Sequence, residues 1–139
     1  MRIVFGTDEQ TPLTVSVIEE LRTLGHDVEL VGDGAQWPEV GHAVGRAVAS
    51  GRAERGVVCC WTGTGVAMAA NKVPGIRAAL CTDAATAQGA RRWNDANVLA
   101  FGLRLTSAEV ASEMLRAFLE THPDETERTA ISRVEEPLR

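Results

Sequence analysis

Short continuous apolar runs alternate along this chain with longer stretches in which apolar residues recur every three to four positions. The continuous runs are typical of strands buried on both faces of a parallel sheet. The longer stretches predict amphipathic helices that pack against such a sheet. The predicted strands cover residues 2–6, 28–31, 56–58, 77–80 and 98–101, and the predicted helices cover residues 11–25, 38–51, 63–72, 83–93 and 106–121.

Strands that alternate with helices in this way predict a doubly wound α/β fold. We expect a three-layer α/β/α sandwich with a five-stranded parallel sheet. The length of 139 residues suits one domain, residues 1–139, and is too short for two. Thr11 and Pro12 mark the start of the first helix, and Thr106 with Glu109 has the spacing of a capping box at the start of the last.

The stretch from Gly56 to Lys72 joins a buried strand to a helix through a glycine-rich loop. Such a junction leaves backbone N–H groups free, and these groups and the helix dipole stabilise an anion or a developing oxyanion. Cys60 ends the strand at this point, where nearby N–H dipoles favour a reactive thiolate. One segment therefore offers both a base and a means of stabilising negative charge, which is typical of an enzyme.

Cys59 and Cys60 have different expected roles, because successive residues of a strand face opposite sides of the sheet. Cys59 is expected to be a small buried apolar residue. For Cys60, a packing role and a chemical role are both open from its residue type alone. The glycine-rich loop that follows favours the chemical role.

Two other predicted strands also end in polar residues. Asp8 and Glu9 follow the first strand, and Cys81 with Thr82 follows the fourth. Open α/β sheets bind ligands at the carboxyl ends of their strands, so these residues can converge with Cys60 on one crevice. Solvent-exposed loop acids remain the alternative for Asp8 and Glu9.

Composition excludes several classes of protein. The net charge of −5 has both signs interspersed, which argues against a nucleic-acid partner, and no apolar run is long enough to cross a membrane. Three cysteines, two of them adjacent, make a poor disulfide framework and predict a reducing cytoplasm. The spacing of cysteine and histidine does not fit a zinc site, and we expect neither metal nor cofactor.

A dinucleotide-binding module is the strongest rival class. Gly63-Thr64-Gly65 begins like its glycine-rich fingerprint, and Asp83 follows at a suitable distance. Against this reading, Met68 stands at the third glycine position, and the loop follows the third strand rather than the first. A cysteine phosphatase would need arginine where Val66 stands, and Lys72 lacks the glycine-rich run of a Walker-type NTPase.

Three motifs together resemble the family of ribose-5-phosphate isomerase B and galactose-6-phosphate isomerase (LacA/LacB). They are residues 60–65 with 69–72, residues 75–78, and residues 94–102. The resemblance covers nearly the whole chain. It implies a Rossmann-like fold and metal-free aldose–ketose isomerisation of a sugar phosphate. It also implies a homodimer, or else a tetramer, with active sites between subunits and with the tail of about residues 121–139 packed on a partner.

The resemblance also assigns roles to residues of this chain. Cys60 falls on the catalytic cysteine, and its thiolate is expected to move the proton beside the carbonyl through an enediolate. Thr62 is expected to relay protons between the two oxygens. The residues expected to bind substrate are Asp8, Glu9, Trp61, Gly63, Thr64, Gly65, Trp93, Asn94, Arg104, Arg128 and Arg133, with the arginines facing the phosphate.

This chain departs from the family pattern at three places. Glu9 and Trp93 stand where the family has histidines, and Arg128 and Arg133 are five residues apart instead of four. Because the family assigns ring opening to the histidine at position 93, we expect a short open-chain substrate such as a tetrose phosphate, in preference to ribose 5-phosphate. A ribose-5-phosphate isomerase with altered ring opening and a non-catalytic sugar-binding relative are the alternatives.

Overall fold

The structure, a computed structural model, describes residues 1–138 and contains a strand or a helix at each predicted place. The strands are β1 (Arg2–Thr7), β2 (Asp27–Val31), β3 (Arg55–Cys60), β4 (Ala78–Leu80) and β5 (Val98–Gly102). The helices are α1 (Pro12–Thr23), α2 (Trp37–Ala49), α3 (Thr64–Asn71), α4 (Ala84–Asn94), α5 (Ala108–Glu120) and the short α6 (Arg128–Ser132).

The five strands form one parallel sheet in the order β2-β1-β3-β5-β4. Helices α1, α4 and α5 pack on one face of the sheet, and α2 and α3 pack on the other. This arrangement confirms the predicted three-layer sandwich with a five-stranded parallel sheet. Its buried strands read as continuous apolar runs because helices cover both faces.

Alternation along the central strand β3 divides its side chains between two core layers. Val57 and Cys59 face the layer that contains Phe118 of α5, whereas Val58 and Cys60 face the layer that contains α2 and α3. The predicted opposite orientation of the two adjacent cysteines is therefore confirmed. Only Cys60 faces the side of the sheet from which α3 begins.

The chain changes direction across the sheet between β1 and β3. From β1 it moves outward to the edge strand β2, and it then returns past β1 to reach β3. Thr7 pairs with Cys59 in the β1–β3 register, so that Asp8 follows β1 beside Cys60 at the end of β3. This is the kind of switch point at which doubly wound sheets bind ligands.

Hydroxyl side chains fix the starts of α1 and α5. Thr11 and Thr14 form a reciprocal capping box at α1. The capping box predicted from Thr106 and Glu109 is wrong. The Thr106 amide still donates to the Gly102 carbonyl in the turn after β5, so the helix begins one residue later, and Ser107 caps it by accepting from the Val110 amide.

The segment after α5 folds back along its own chain. The Asp124 amide donates to the Arg92 carbonyl of α4, and Glu135 pairs with Arg77 and accepts from the Gly75 amide. The outer side of this segment is exposed, so its predicted packing on a partner subunit remains a prediction. Among residues 1–138, no helix is long and apolar enough to cross a membrane.

Candidate active site

Gly63 sets the geometry of the loop between β3 and α3. It adopts a left-handed conformation with φ of +77°, and a Cβ atom there would lie 2.6 Å from the carbonyl carbon of Phe101. Only glycine fits both constraints. The chain therefore turns sharply into α3, and the first four backbone N–H groups, at Gly63, Thr64, Gly65 and Val66, have no acceptor within the helix.

The three cysteines differ in their exposure to this loop. Cys60 ends β3 directly before the loop and keeps 6% of its surface exposed, whereas Cys59 is fully buried and Cys81 nearly so. Burial raises the pKa of the Cys59 thiol to about 12 and that of Cys81 to about 11. Cys59 and Cys81 therefore stay neutral thiols at neutral pH, which makes them poor bases and poor nucleophiles.

Thiol alkylation tests this difference. At pH 7.5 we expect iodoacetamide to modify Cys60, which keeps some exposed surface, in the folded protein. Cys59 and Cys81 should remain unmodified, because they are buried neutral thiols and alkylation requires the thiolate. Peptide mapping by mass spectrometry, with fragment ions that separate the two adjacent cysteines, measures each site. Unfolding in urea is the control, and all three cysteines should then react. Faster labelling of Cys59 or Cys81 in the folded protein would contradict this description of the site.

Two threonine hydroxyls stand at the mouth of the loop. The Thr62 and Thr64 Oγ1 atoms are 2.7 Å apart, and one donates a hydrogen bond to the other. Both line a cavity of about 300 Å³ together with Cys81, Thr82 and Arg104, so the end of β4 does converge on the loop. Asp8 and Glu9 lie on the other side of β3, after β1.

Trp37 belongs to the surroundings of the loop and was not predicted. It is the first residue of α2, and its indole lies against Gly65, where an added Cβ would come within 2.7 Å of the ring. The indole is 45% exposed and forms a wall beside the free N–H groups. No periodic pattern marks Trp37, because its contact with Gly65 depends on how α2 packs against α3.

The predicted site residues fall into two groups. The cysteine cluster, at the carboxyl ends of the strands, comprises Asp8, Glu9, Cys60, Trp61, Thr62, Gly63, Thr64, Gly65 and Arg104. The tip cluster lies on the side of the molecule where the strands have their amino ends, at the end of α4 and in the C-terminal segment. It comprises Trp93, Asn94, Arg128 and Arg133. One chain does not bring the two clusters together.

The register of the sheet accounts for this separation. Helix α4 runs antiparallel to the strands and ends at Asn94, just before β5 starts at Val98. Val98 pairs with Gly56, whereas Cys60 pairs with Gly102 at the other end of β5. With a strand rise of about 3.3 Å per residue, the length of β5 alone separates the amino and carboxyl ends of the strands by about 13 Å.

The tip arginines differ from each other in their surroundings. Arg128 is bound by Glu125, with Nη2 to carboxylate oxygen distances of 2.6 and 2.9 Å. Arg133 follows α6, five residues further on. At about 100° per residue, a spacing of five places two side chains about 140° apart around a helix, whereas a spacing of four places them about 40° apart. The two arginines therefore project to different sides of the segment, and their binding of one phosphate stays a prediction.

Asp83, the acid that supported the dinucleotide-binding reading, has a structural role. Its Oδ1 accepts a hydrogen bond of 2.8 Å from the Thr86 amide and caps α4. That hydrogen bond holds the pKa of the Asp83 carboxyl below its ordinary value. Among residues 1–138, no group of three or more histidine, cysteine, aspartate or glutamate side chains is placed to hold a metal ion.

Residues 3–136 match the family described as Ribose/Galactose Isomerase. The chain belongs to this family of isomerases. Two curated relatives are a DNA damage-repair/toleration protein, DRT102, of Arabidopsis thaliana and a D-erythrulose-4-phosphate isomerase of Pectobacterium atrosepticum. The first is 44% identical over 87% of this chain and 40% of the relative, and the second is 38% identical over 72% of this chain and 66% of the relative.

A solved structure of ribose-5-phosphate isomerase B from Clostridium thermocellum has the same fold over nearly the whole chain. It superposes with a TM-score of 0.92 at 34% identity and covers 97% of this chain and 95% of that one. The curated relatives are longer: this chain spans 40% of the Arabidopsis protein and 66% of the Pectobacterium enzyme. The family and the Rossmann-like fold expected from the three motifs are thus confirmed.

Several motif residues typical of the family hold the scaffold. The Asn71 side chain forms two hydrogen bonds with the backbone of Ala78 at the edge strand β4. It donates to the Ala78 carbonyl and accepts from the Ala78 amide. The Asn97 side chain accepts from the Arg77 amide and donates to the Gly75 carbonyl. These asparagines therefore fix the start of β4.

Substitution of Gly63 tests the geometry of the loop. Gly51 is the matched control, because its φ of +80° is similar but no atom lies within 4 Å of an added Cβ. We expect Gly51→Ala to cost about 1 kcal/mol of unfolding free energy through backbone strain alone. Gly63→Ala adds steric overlap and should cost about 3 kcal/mol. Urea unfolding measures both, and equal costs would show that the Phe101 contact is unimportant.

Proposed function

We propose that this protein is an aldose–ketose isomerase of a sugar phosphate and that Cys60 is its base. The observation that carries the proposal is the position of Cys60, which ends β3 on the α3 side of the sheet and is joined by a three-residue loop to the free N–H groups at the start of α3. A base and an oxyanion site that adjoin each other are what enolisation beside a carbonyl requires. Membership of a family of isomerases supports the same reaction class.

In the proposed reaction the Cys60 thiolate removes the proton from the carbon beside the carbonyl. The electron pair of that C–H bond moves into an enediolate, whose negative oxygen is held by the N–H groups of residues 63–65. The Thr62 hydroxyl, which is hydrogen-bonded to Thr64, moves a proton between the two oxygens. The thiol then returns its proton to the neighbouring carbon, and aldose and ketose interconvert without a net change of redox state.

We further propose that a second copy of the chain completes the site. The tip cluster cannot reach Cys60 of its own chain, because the two clusters lie at opposite ends of the strands. In a two-fold dimer the tip cluster of each subunit can lie against the cysteine cluster of the other. Trp93 and Asn94 have exposed side chains that are available for this role. Arg133 is the better candidate for the phosphate, since Glu125 holds Arg128.

The proposed substrate is a short, open-chain sugar phosphate, a tetrose 4-phosphate. A pentose phosphate closes into a ring, and opening it needs a group that takes up and releases a proton near neutral pH, which Trp93 cannot do. A tetrose 4-phosphate cannot close a five-membered ring, because its terminal oxygen is esterified. Trp93 and Trp37 also add bulk that suits a shorter chain. The relative named D-erythrulose-4-phosphate isomerase supports this choice.

The test compares the specificity constants for D-erythrulose 4-phosphate and D-ribose 5-phosphate on one preparation of the full chain. We expect kcat/KM to be at least about tenfold higher for the tetrulose phosphate, a difference of about 1.4 kcal/mol in transition-state stabilisation. Faster turnover of ribose 5-phosphate would overturn the preference and would indicate that Glu9 or water opens the ring. Binding of both sugars without turnover would indicate a non-catalytic relative.

The rival functions are tested with the same preparation. Isothermal titration with NADH should give no binding heat, because Asp83 caps α4 and the loop follows the third strand instead of the first. Tight NADH binding would favour the dinucleotide-binding reading. The three free thiols fit a reducing compartment, and we therefore propose a cytoplasmic location.

A further inference from the structure

Asp95, which directly follows Trp93 and Asn94, is held by two arginines. It ends α4 in a left-handed conformation with φ of +46°, and among residues 1–138 it is the only residue other than glycine with a positive φ. Its Oδ1 accepts a hydrogen bond of 2.7 Å from Arg91, and its Oδ2 lies 3.4 Å from Arg77. Its backbone carbonyl accepts a second bond, of 2.9 Å, from Arg77.

The two arginines connect Asp95 to the rest of the fold. Arg91 is 1% exposed, donates to the carbonyls of Ala96 and Thr121, and stacks 5.8 Å from the Phe118 ring centroid. Arg77 is anchored at its amide by Asn97. Asp95 is thus tied to α5 on one side and to the start of β4 on the other.

The two residues that precede Asp95 make no such bonds. Trp93 is 55% exposed and Asn94 is exposed, and none of the side-chain hydrogen bonds within residues 1–138 involves the Asn94 amide. A buried guanidinium is expensive to desolvate and is weak evidence for added stability. The network fixes the backbone at the end of α4, from which the exposed side chains of Trp93 and Asn94 project, and positioning explains it better than added stability does.

We propose that Asp95 is the positioning residue of the site: its ion pairs with Arg91 and Arg77 fix the end of α4 so that Trp93 and Asn94 enter the cysteine cluster of a second copy. The proposal rests on the isomerase function and the shared site proposed above. Asp95 acts through its two neighbours and does not contact the substrate. An error of about 1 Å in the placement of such groups can cost as much as about 100-fold in rate.

The variant Asp95→Asn tests this role. Asparagine tolerates the left-handed backbone and keeps the shape of the side chain, but it removes the charge that both arginines bind. We expect it to lower kcat/KM for D-erythrulose 4-phosphate about tenfold in the wild-type background. In a Trp93→Ala/Asn94→Ala background, where the positioned groups are gone, it should change kcat/KM less than about twofold.

Glu20→Gln is the matched control. Glu20 is also a partly buried carboxylate that ties two elements, because it accepts from Ser112 at 2.6 Å and pairs with Arg116 at 3.3 Å, both on α5. It lies on α1, away from both clusters. Whatever small effect Glu20→Gln has on kcat/KM should be the same factor in both backgrounds, as expected of a purely structural change.

Each outcome decides the proposal. An Asp95→Asn effect of the same size in both backgrounds, or no effect in either, overturns it. If Asp95→Asn does not fold, Arg77→Gln takes its place, because Arg77 lies outside α4. Its effect on kcat/KM must likewise disappear in the Trp93→Ala/Asn94→Ala background. A wild-type protein that does not isomerise any sugar phosphate overturns the proposed function, whereas equal effects in an active wild type overturn only the role of Asp95.

Discussion

We expect the variant Cys60→Ala to lower kcat about 10²–10⁴-fold, which is the usual contribution of a general base. Binding of a sugar phosphate should persist, because the N–H groups of α3 and the arginines remain. Steady-state kinetics with D-erythrulose 4-phosphate and titration calorimetry with the same sugar measure the two effects separately. A loss of kcat without a loss of affinity would place Cys60 at the chemical step.

Cys59→Ala is the control for this substitution. Cys59 is the neighbouring residue and is fully buried, but it faces the opposite core layer and its burial raises its pKa to about 12. Its loss should lower stability by about 1 kcal/mol and leave kcat within a factor of about three. Normal turnover by Cys60→Ala, or an equal loss of kcat in Cys59→Ala, would contradict the proposed mechanism.

The second large effect is recovery of activity when two variants of low activity are combined. Cys60→Ala lacks the base. Trp93→Ala/Asn94→Ala lacks the two side chains of the tip cluster that complete the partner's site. A mixed dimer has one site in which both mutated positions are wild type. Random exchange of subunits in an equal mixture gives half mixed dimers, so the mixture should reach about a quarter of wild-type activity.

The same mixture distinguishes a shared site from a site within one chain. If each site is made by one subunit, mixing gives the average of the two parent activities and no gain. Coexpression with two affinity tags and purification through both isolates the mixed species if subunits do not exchange. A mixed species no more active than the average of its parents would rule out the shared site. The Cys60 mechanism would then be judged by its own experiment.

The elements of this fold were predictable because their patterns are local. Continuous apolar runs gave strands, and apolar residues at helical spacing gave helices, because each pattern reports what one element must bury. The opposite orientations of Cys59 and Cys60 follow from strand alternation alone. Predicted boundaries differ from the observed ones by a few residues, and the start of α5 at Ala108 was missed because Thr106 and Ser107 are both good caps.

The candidate site was predictable only in part. Cys60 and its glycine loop lie within one short segment, so the sequence alone identifies them. The contact of Trp37 with Gly65 joins residues of two helices, and no local pattern marks it. Asp95 and Arg91 are four residues apart on one helix, but the tie to Arg77 of a different loop depends on the packing of β4 against β5.

The amino-acid sequence by itself determined the order of strands and helices, the cysteine that faces the loop and the family to which the chain belongs. These properties are encoded in short segments, where side-chain type and spacing act directly on the backbone. Only the tertiary structure decided the strand order β2-β1-β3-β5-β4 and the separation of Asn94 from Cys60. Both depend on which distant strands pair and on the antiparallel course of α4, and pairing between distant strands leaves no periodic mark in the sequence.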